Sequence, residues 1–406
     1  MPAVADLDLP AFDYLDATLA GPRFHEELES LREQTWIARA DPVGFFVLDR
    51  EATAFFMRTP SATFPGSRIF EVQGVTSGTL YERFKGSLMD QNGEDHRRLR
   101  KLVQPAFTPP AADRHRPAMR EILERLFESF STEGRCDFVS AVAKPYPAMM
   151  IARVMGAPLE DADLLGTWAN LIQGQFDPVK VATMLPEMNR AAEEFGEYTF
   201  ELLRARHDDP SDDLISELIA AEEEGDRLSD EECVMLVGAV LVGGVDTTQA
   251  QLAHGIRLFA EHPDQWRMLA DDPSLAGAAA EEVLRYEPIT PFTARIALED
   301  IEYRDVTFPE GTILVACSAT ANRDPAEYGA PGDFDITADR GRAKPLTFGA
   351  GPHFCLGANL ARAELQEAFA FLAPRMPELE LDGEPDYDTP FGIYALEGLP
   401  IRFRAA

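Results

Sequence analysis

Cys355 stands in the stretch Pro345-Leu-Thr-Phe-Gly-Ala-Gly-Pro-His-Phe-Cys-Leu-Gly357. Gly349, Gly351 and Gly357 bracket it, and glycine lets a chain bend sharply and pass close to a bulky object. The residues from Ala358 to Leu372 have helical composition and spacing. The cysteine therefore falls in a tight loop at a helix N-terminus, where unpaired N–H groups and the positive dipole end favour thiolate over thiol. Such a thiolate can act as nucleophile, redox group or metal ligand. No second cysteine is near it in sequence, which argues against a zinc or dithiol site. A buried structural cysteine is the ordinary case for a lone cysteine, so the rest of the chain must decide.

Three further groups of residues carry possible chemistry. Gly243-Gly-Val-Asp-Thr-Thr248 interrupts a strongly apolar run. Two glycines cost a helix interior about 1 kcal/mol each relative to alanine. Close helix packing would explain them, with Thr247 bonded back to the preceding turn. A widened helix over a ligand would explain them too, with Asp246 and Thr247 handling protons. Leu236, Ala239, Val240, Gly243 and Thr247 would share that face. In the second group, His96 and Arg100 lie four apart on a basic segment and could clamp a carboxylate-bearing ligand, although a solvated charged face is the commoner meaning. In the third, Glu282 and Arg285, three apart, can pair on one helix face, a common spacing and a weak signal taken alone.

The elements that position these residues are mostly helical. Ser229-Asp-Glu-Glu232 is a capping box that opens a helix running to about His262, roughly 50 Å at 1.5 Å per residue. It is apolar nearly all round and should cross the core. Residues 24–34, 50–57, 90–103, 211–224 and 278–286 read as helices, and most of 112–203 does too. Strands are expected at Thr35–Ala40 with Gly44–Leu48, at Thr293–Ala297, Ile301–Tyr303, Val306–Phe308 and Thr312–Ala319, and at Leu399–Phe403. Residues 65–88 show no period and read as a long loop, a length that is often functional. The fold is thus mainly α with a minor antiparallel β region. It is one domain over 1–406, with β-rich parts near 35–60, near 293–320 and in the C-terminal tail.

The bulk numbers agree. With 406 residues, 45% hydrophobic and 26% charged, the chain is globular. A net charge of −33, from 37 basic and 70 acidic residues, argues against nucleic acid or an anionic membrane as partner. The opening residues have no basic region followed by an apolar run, and no stretch reads as a membrane span. Four scattered cysteines fit a reducing, cytoplasmic setting.

Phe348-Gly-Ala-Gly-Pro-His-Phe-Cys-Leu-Gly357 resembles the haem-ligand loop of the cytochrome P-450 superfamily. Gly243–Thr248 resembles its oxygen-groove motif, and Glu282-x-x-Arg285 its Glu-x-x-Arg pair, in the family's chain order. The resemblance covers most of the chain and is closest to bacterial members. One departure is visible: the family's Phe-Asp-x-x-Arg becomes Phe334-Asp-Ile-Thr followed by Ala338. Arg340 stands at the usual distance before Phe348 and is expected to complete a structural triad with Glu282 and Arg285.

The resemblance implies haem b (iron protoporphyrin IX) between the long central helix and the cysteine-loop helix. Cys355 would be the iron ligand, with Phe348 against the porphyrin and Gly357 opening the loop. His96, Arg100, Arg295 and His353 would meet the propionates. Asp246 and Thr247 would carry the catalytic protons. The implied reaction is insertion of one oxygen atom, using O2, two electrons and two protons. Electrons would come from a ferredoxin and its reductase. Arg97, Arg98, Lys101, Arg340, Arg342, Lys344 and Arg362 would form the basic surface that steers the acidic donor. The substrate would be a small hydrophobic molecule lying against Ala239, Val242, Gly243, Pro291 and Ile393. A neutral or weakly polar molecule fits, and no obvious charged anchor stands among these residues, though Arg68 or Arg83 could reach in. The chain would be a monomer. A peroxide-driven peroxygenase is an alternative that Asp246-Thr247 weighs against. A non-catalytic haem sensor is another, needing no such pair.

Overall fold

The Ser229 capping box forms as the sequence requires: Ser229 Oγ accepts from Glu232 N at 3.2 Å, and Ser229 N donates to Glu232 Oε2 at 2.8 Å. In the computed structural model of the chain this box opens the helix Asp230–Glu261. The structure describes residues 1–13, 16, 18–41, 43–223, 225–341 and 343–405. They divide into two compact units. One is Met1–Pro65, Glu281–Cys355 and Tyr387–Ala395; the other is Gly66–Ala280, Leu356–Asp386 and Leu396–Ala406.

The first unit is built on a six-stranded sheet. From edge to edge its strands are Ala11–Asp13, Ile37–Asp41, Gly44–Val47, Ile313–Cys317, Phe292–Ala297 and Ala62–Thr63. Ile37–Asp41 pairs antiparallel with Gly44–Val47, and Phe292–Ala297 antiparallel with Ile313–Cys317; Gly44–Val47 and Ile313–Cys317 run parallel. Successive side chains alternate between faces, and both faces are covered. Ala38, Phe46, Phe292 and Val315 pack with Phe24, Leu28 and Leu31 of the helix Gly21–Gln34. Ile37, Val47 and Leu314 pack instead with Ala52 and Phe56 of the helix Arg50–Arg58. That helix starts where Asp49 Oδ1 accepts from Ala52 N at 2.8 Å. It stops ahead of Thr59-Pro60, since a residue before proline disfavours the helical region.

The second unit is helical, with short strands. The central helix packs on Pro145–Met155, Ala162–Gln173, Pro178–Asp208, Leu214–Ala220 and Ala358–Leu372. By length and composition alone it could cross a membrane, a test that a buried core helix passes as well; more than half of its most apolar stretch is buried in the fold. Two expectations change. Residues 65–88 contain two short helices, Arg68–Val72 and Thr79–Phe84, each too brief to print a period on the sequence. The helix expected over 211–224 is only Leu214–Ala220; Asp213 caps it, and a two-strand hairpin, Glu222–Glu223 with Asp226–Arg227, turns at Gly225, φ +86°. Glu224, within that expected helix, is outside the described residues.

Candidate active site

The cysteine loop is held by its own unit. Leu346 and Ala350 pack with Met57, Ala316 and Ala321. Gly351 has φ +75°, and a Cβ there would stand 2.6 Å from the Met57 carbonyl oxygen, so only glycine fits. Gly349 also has a left-handed φ, +72°. Cys355 N donates to Phe348 O at 2.9 Å, closing the loop, and the Phe348 and Phe354 rings meet edge to face at 6.4 Å. The helix Ala358–Leu372 begins three residues past the sulfur, just after Gly357. The other cysteines are different. Burial pushes Cys136 and Cys233 up to about 12 and Cys317 up to about 11, so all three stay thiols. Among the described residues no group of three or more His, Cys, Asp or Glu side chains could share a metal ion.

Arg340 and Arg285 both meet Glu282. Arg285 Nε and Nη2 each lie 2.8 Å from a Glu282 oxygen, and Arg340 Nη2 lies 2.6 Å from Glu282 Oε1. Arg285 is 1% exposed and Glu282 4%. Arg285 also donates to the carbonyls of Asn322, Pro331 and Asp333, and Arg340 to those of Gly329, Ala330 and Asp333. The irregular approach to the cysteine loop is thereby tied to a helix. Asn322 and Thr347 extend the tie and were not singled out in the sequence. Asn322 Oδ1 accepts from Leu346 N at 2.7 Å, its Nδ2 donates to Thr347 Oγ1 at 2.9 Å, and Thr347 Oγ1 donates to Leu284 O at 2.5 Å.

Arg295 lies on the strand Phe292–Ala297, 3% exposed. Its Nη1 donates to Ala294 O at 2.9 Å, and it forms no ion pair among the described residues. Burial alone pushes its pKa down to about 10. In the same unit His353 is half-buried, Pro291 is buried and Ile393 is partly accessible.

In the second unit, His96 is buried on the basic helix Gly93–Val103. Burial, then the charges of Arg100 and Arg97, hold its pKa below the usual histidine range, so it is neutral near pH 7. Arg98 is not available as a surface charge: its guanidinium bonds Asp226 and Glu232, both at 2.5 Å. Of the other basic residues singled out, Arg97, Lys101 and Lys344 are exposed and Arg362 is half-buried; Arg342 lies outside the described residues.

The central helix separates its two glycines. A Cβ at Gly244 would lie 2.5 Å from Ile151 Cδ1, so Gly244 permits a close helix crossing. A Cβ at Gly243 would meet nothing within 4 Å. Ala239, Gly243 and Thr247, four residues apart, form an accessible stripe on a helix whose Val237, Val240, Leu241, Val242 and Val245 are buried. Thr247 Oγ1 donates to Gly243 O at 2.5 Å. With the Asn170 amide oriented to satisfy its neighbours, its nitrogen donates to Gly166 O and to Asp246 Oδ1. The adjacent Thr248 donates to Glu364, which is 1% exposed; burial pushes that carboxyl up to about 8. Neither Asn170 nor Glu364 had a sequence signal, since each is one polar residue in an apolar helix.

A cytochrome P450 family model matches residues 70–274 and 265–372. The luteothin monooxygenase of Streptomyces thioluteus is 36% identical over 401 residues, 98% of this chain and 97% of that one. The crystal structure of CalO2 superposes with a TM-score of 0.90 at 28% identity, covering 98% of this chain and 100% of that one. P450BioI, solved with an acyl carrier protein bearing hexadec-9Z-enoic acid, gives a TM-score of 0.86 at 32% identity, covering 94% and 98%. The match of the family model over most of the chain and relatives of nearly equal length place this chain, with its glycine-built cysteine loop and Glu–Arg–Arg cluster, in the cytochrome P450 family, as a monooxygenase of that family.

Proposed function

We propose that this enzyme inserts one oxygen atom from O2 into a mostly hydrophobic small molecule, by hydroxylation or epoxidation, with electrons from a ferredoxin and its reductase. The observation that carries this is the accessible stripe Ala239–Gly243–Thr247 with Asp246 beside it. A buried helix interior has no packing use for that gap, and an acid next to an alcohol is suited to passing protons.

The residues fit haem b. Arg295 is a buried cation without a carboxylate partner, a state that costs free energy unless an anion is supplied, and a propionate is one. His96, Arg100 and His353 are the further candidate donors to the two propionates. Cys355 would hold the iron through its thiolate, with Phe348 and Gly357 as further residues of the loop that would receive the haem. Haem held by a thiolate supplies oxygen activation, because the thiolate donates electron density that favours O–O cleavage. The chain's own part is positioning and proton supply. Thr247 Oγ1 presents a hydroxyl at the stripe. Asp246 moves protons from solvent towards it, with its carboxylate oriented by Asn170. Val242, Pro291 and Ile393 would add apolar contact to the substrate. The setting would be cytoplasmic and the enzyme a monomer.

The test is the reduced, carbon monoxide-bound spectrum of the haem-loaded protein. The thiolate band is expected in the native chain and lost in Cys355→His, with haem still bound. A thiolate band in that variant would refute the ligand assignment. Comparing turnover on O2 plus reductant with turnover on peroxide separates monooxygenase from peroxygenase.

A further inference from the structure

Arg83 is the one cation of the 65–88 segment that is half-buried, while Arg68 is exposed. It lies in the last turn of the helix Thr79–Phe84, which docks on the helix Pro178–Asp208 through Leu80 N donating to Asn189 Oδ1 at 3.0 Å. Two turns further along, the Arg83 guanidinium lies against Gly196, where any Cβ would collide with it. Its Nε is buried with no hydrogen-bond partner, and it forms no ion pair among the described residues. Desolvation draws its pKa down, only partly offset by Glu193 and Glu197, which are exposed on the same long helix.

Two more buried polar atoms without a hydrogen-bond partner belong to adjoining segments: Ser87 Oγ and Gln175 Oε1. Phe84 and Phe176, the residues next to Arg83 and Gln175, meet edge to face at 6.0 Å, and Ser87 N donates to Phe84 O. Leaving buried polar groups unmet costs roughly 1–3 kcal/mol each, more for a charge. Three within one aromatic setting point to a ligand that meets them. The location suits a substrate. Phe195, next to Gly196, reaches to 3.5 Å from where a Gly238 Cβ would be, and Gly238 precedes Ala239 of the accessible stripe.

We propose that Arg83 anchors a carboxylate on the substrate, so that this enzyme oxidises organic acids: mostly apolar molecules with one acid group. This rests on the monooxygenase reading and names its substrate class. Ser87 donates a second bond, and the Gln175 amide can present its NH2 end.

The test uses the haem-loaded enzyme and probes that report whatever the natural substrate is: ω-imidazolyl alkanoic acids of graded length and their methyl esters, read by the spectral shift on iron ligation. The native chain is expected to bind the best acid at least 10-fold more tightly than its ester. Arg83→Gln should bring the ratio below about 2-fold by weakening the acid alone. Gly196→Ala, which displaces the guanidinium and keeps the charge, should do the same, and Arg83→Lys should keep part of the preference. Equal binding of acid and ester by the native chain, or a preference that survives Arg83→Gln, overturns the proposal. So does equal weakening of both, which marks Arg83 as a structural partner of Glu193 and Glu197. Failure of the monooxygenase reading shows elsewhere: free imidazole would give no shift, or O2 plus reductant would give no oxidised product.

Discussion

Arg340 and Arg285 share the single carboxylate of Glu282, Arg340 at 2.6 Å and Arg285 at 2.8 Å on each prong. Two guanidiniums thus face one acid, and six backbone groups complete the shell: five carbonyls accept from the arginines, that of Asp333 from both, and Asp335 N donates to Glu282 at 3.0 Å. Removing one partner of a buried pair leaves an uncompensated charge, a loss of about 3–5 kcal/mol. Glu282→Gln is expected to lose that much in urea unfolding and to retain less haem. Arg340→Leu should lose less, because Arg340 is partly accessible. A Glu282→Gln variant within 1 kcal/mol of the native chain would contradict this account.

Glu364 should make stability depend on pH. Its folded pKa, about 8, lies above its ordinary 4.5. Between those values the folded state holds a proton that the unfolded state has released. Stability is therefore full below about pH 4.5, falls as pH rises to about 8, and levels off above. The slope is about 1.4 kcal/mol per pH unit at its steepest. Glu364→Gln keeps the shape and removes that slope. The check is the chemical denaturation midpoint of both proteins at pH 5 to 9. Parallel curves would show that Glu364 does not titrate there.

Much of this was legible from residue order. The capping box, the strand pairs and the Glu282–Arg285 spacing are local chemistry, readable from neighbouring residues, whereas the Asp49 cap was not read there. Arg340 was legible by its distance from Phe348. What was hidden depends on contacts far apart in the chain. The two glycines of Gly243-Gly244 look alike in sequence, yet only Ile151 makes one of them a crossing point. Arg98 reads as a free surface charge until the hairpin at Gly225 brings Asp226 to it. Asn170, Glu364 and the setting of Arg83 are single polar residues whose meaning comes from a neighbouring helix.

On the proposed proton path, Asp246 and Thr247 stand at adjacent positions with different tasks, so their variants should behave differently. Thr247→Val removes the hydroxyl and keeps the volume. Product formation is expected to fall on the order of 10²-fold, with reductant still consumed and hydrogen peroxide released. Asp246→Asn should slow product and reductant consumption together, because the proton source itself is impaired. Asn170→Leu should reproduce a milder form of the Asp246 effect through loss of orientation. Simultaneous measurement of product, reductant and peroxide decides. An unchanged product yield in Thr247→Val would remove Thr247 from the proton path.

Asp90 closes the segment around Arg83. Its Oδ1 accepts from Ser67 N at 2.6 Å and its Oδ2 from Gly86 N at 2.8 Å, so one carboxylate joins both ends of the segment. Hydrogen bonds to a charged group contribute about 1.5–3 kcal/mol each. Asp90→Ala is expected to speed amide exchange across 66–90 by at least tenfold, leaving the central helix as protected as before. Uniform exchange rates in the two proteins would show that the segment is held by its aromatic packing instead.

The basic residues near the cysteine loop and on Gly93–Val103 do not contribute alike to a redox partner. Arg98 and Arg340 are spent on internal carboxylates, while Arg97, Lys101 and Lys344 are exposed. An acidic ferredoxin would be steered by the exposed charges, and steering weakens as salt screens it. Lys344→Glu and Lys101→Glu are expected to slow reduction by the ferredoxin several-fold at low salt and little at 0.5 M, with substrate affinity unchanged. Arg98→Glu should act through stability instead, by placing a third acid against Asp226 and Glu232. Stopped-flow reduction at two ionic strengths, beside a thermal melt, distinguishes the classes. Equal reduction rates for native and Lys344→Glu proteins at low salt would move the docking surface elsewhere.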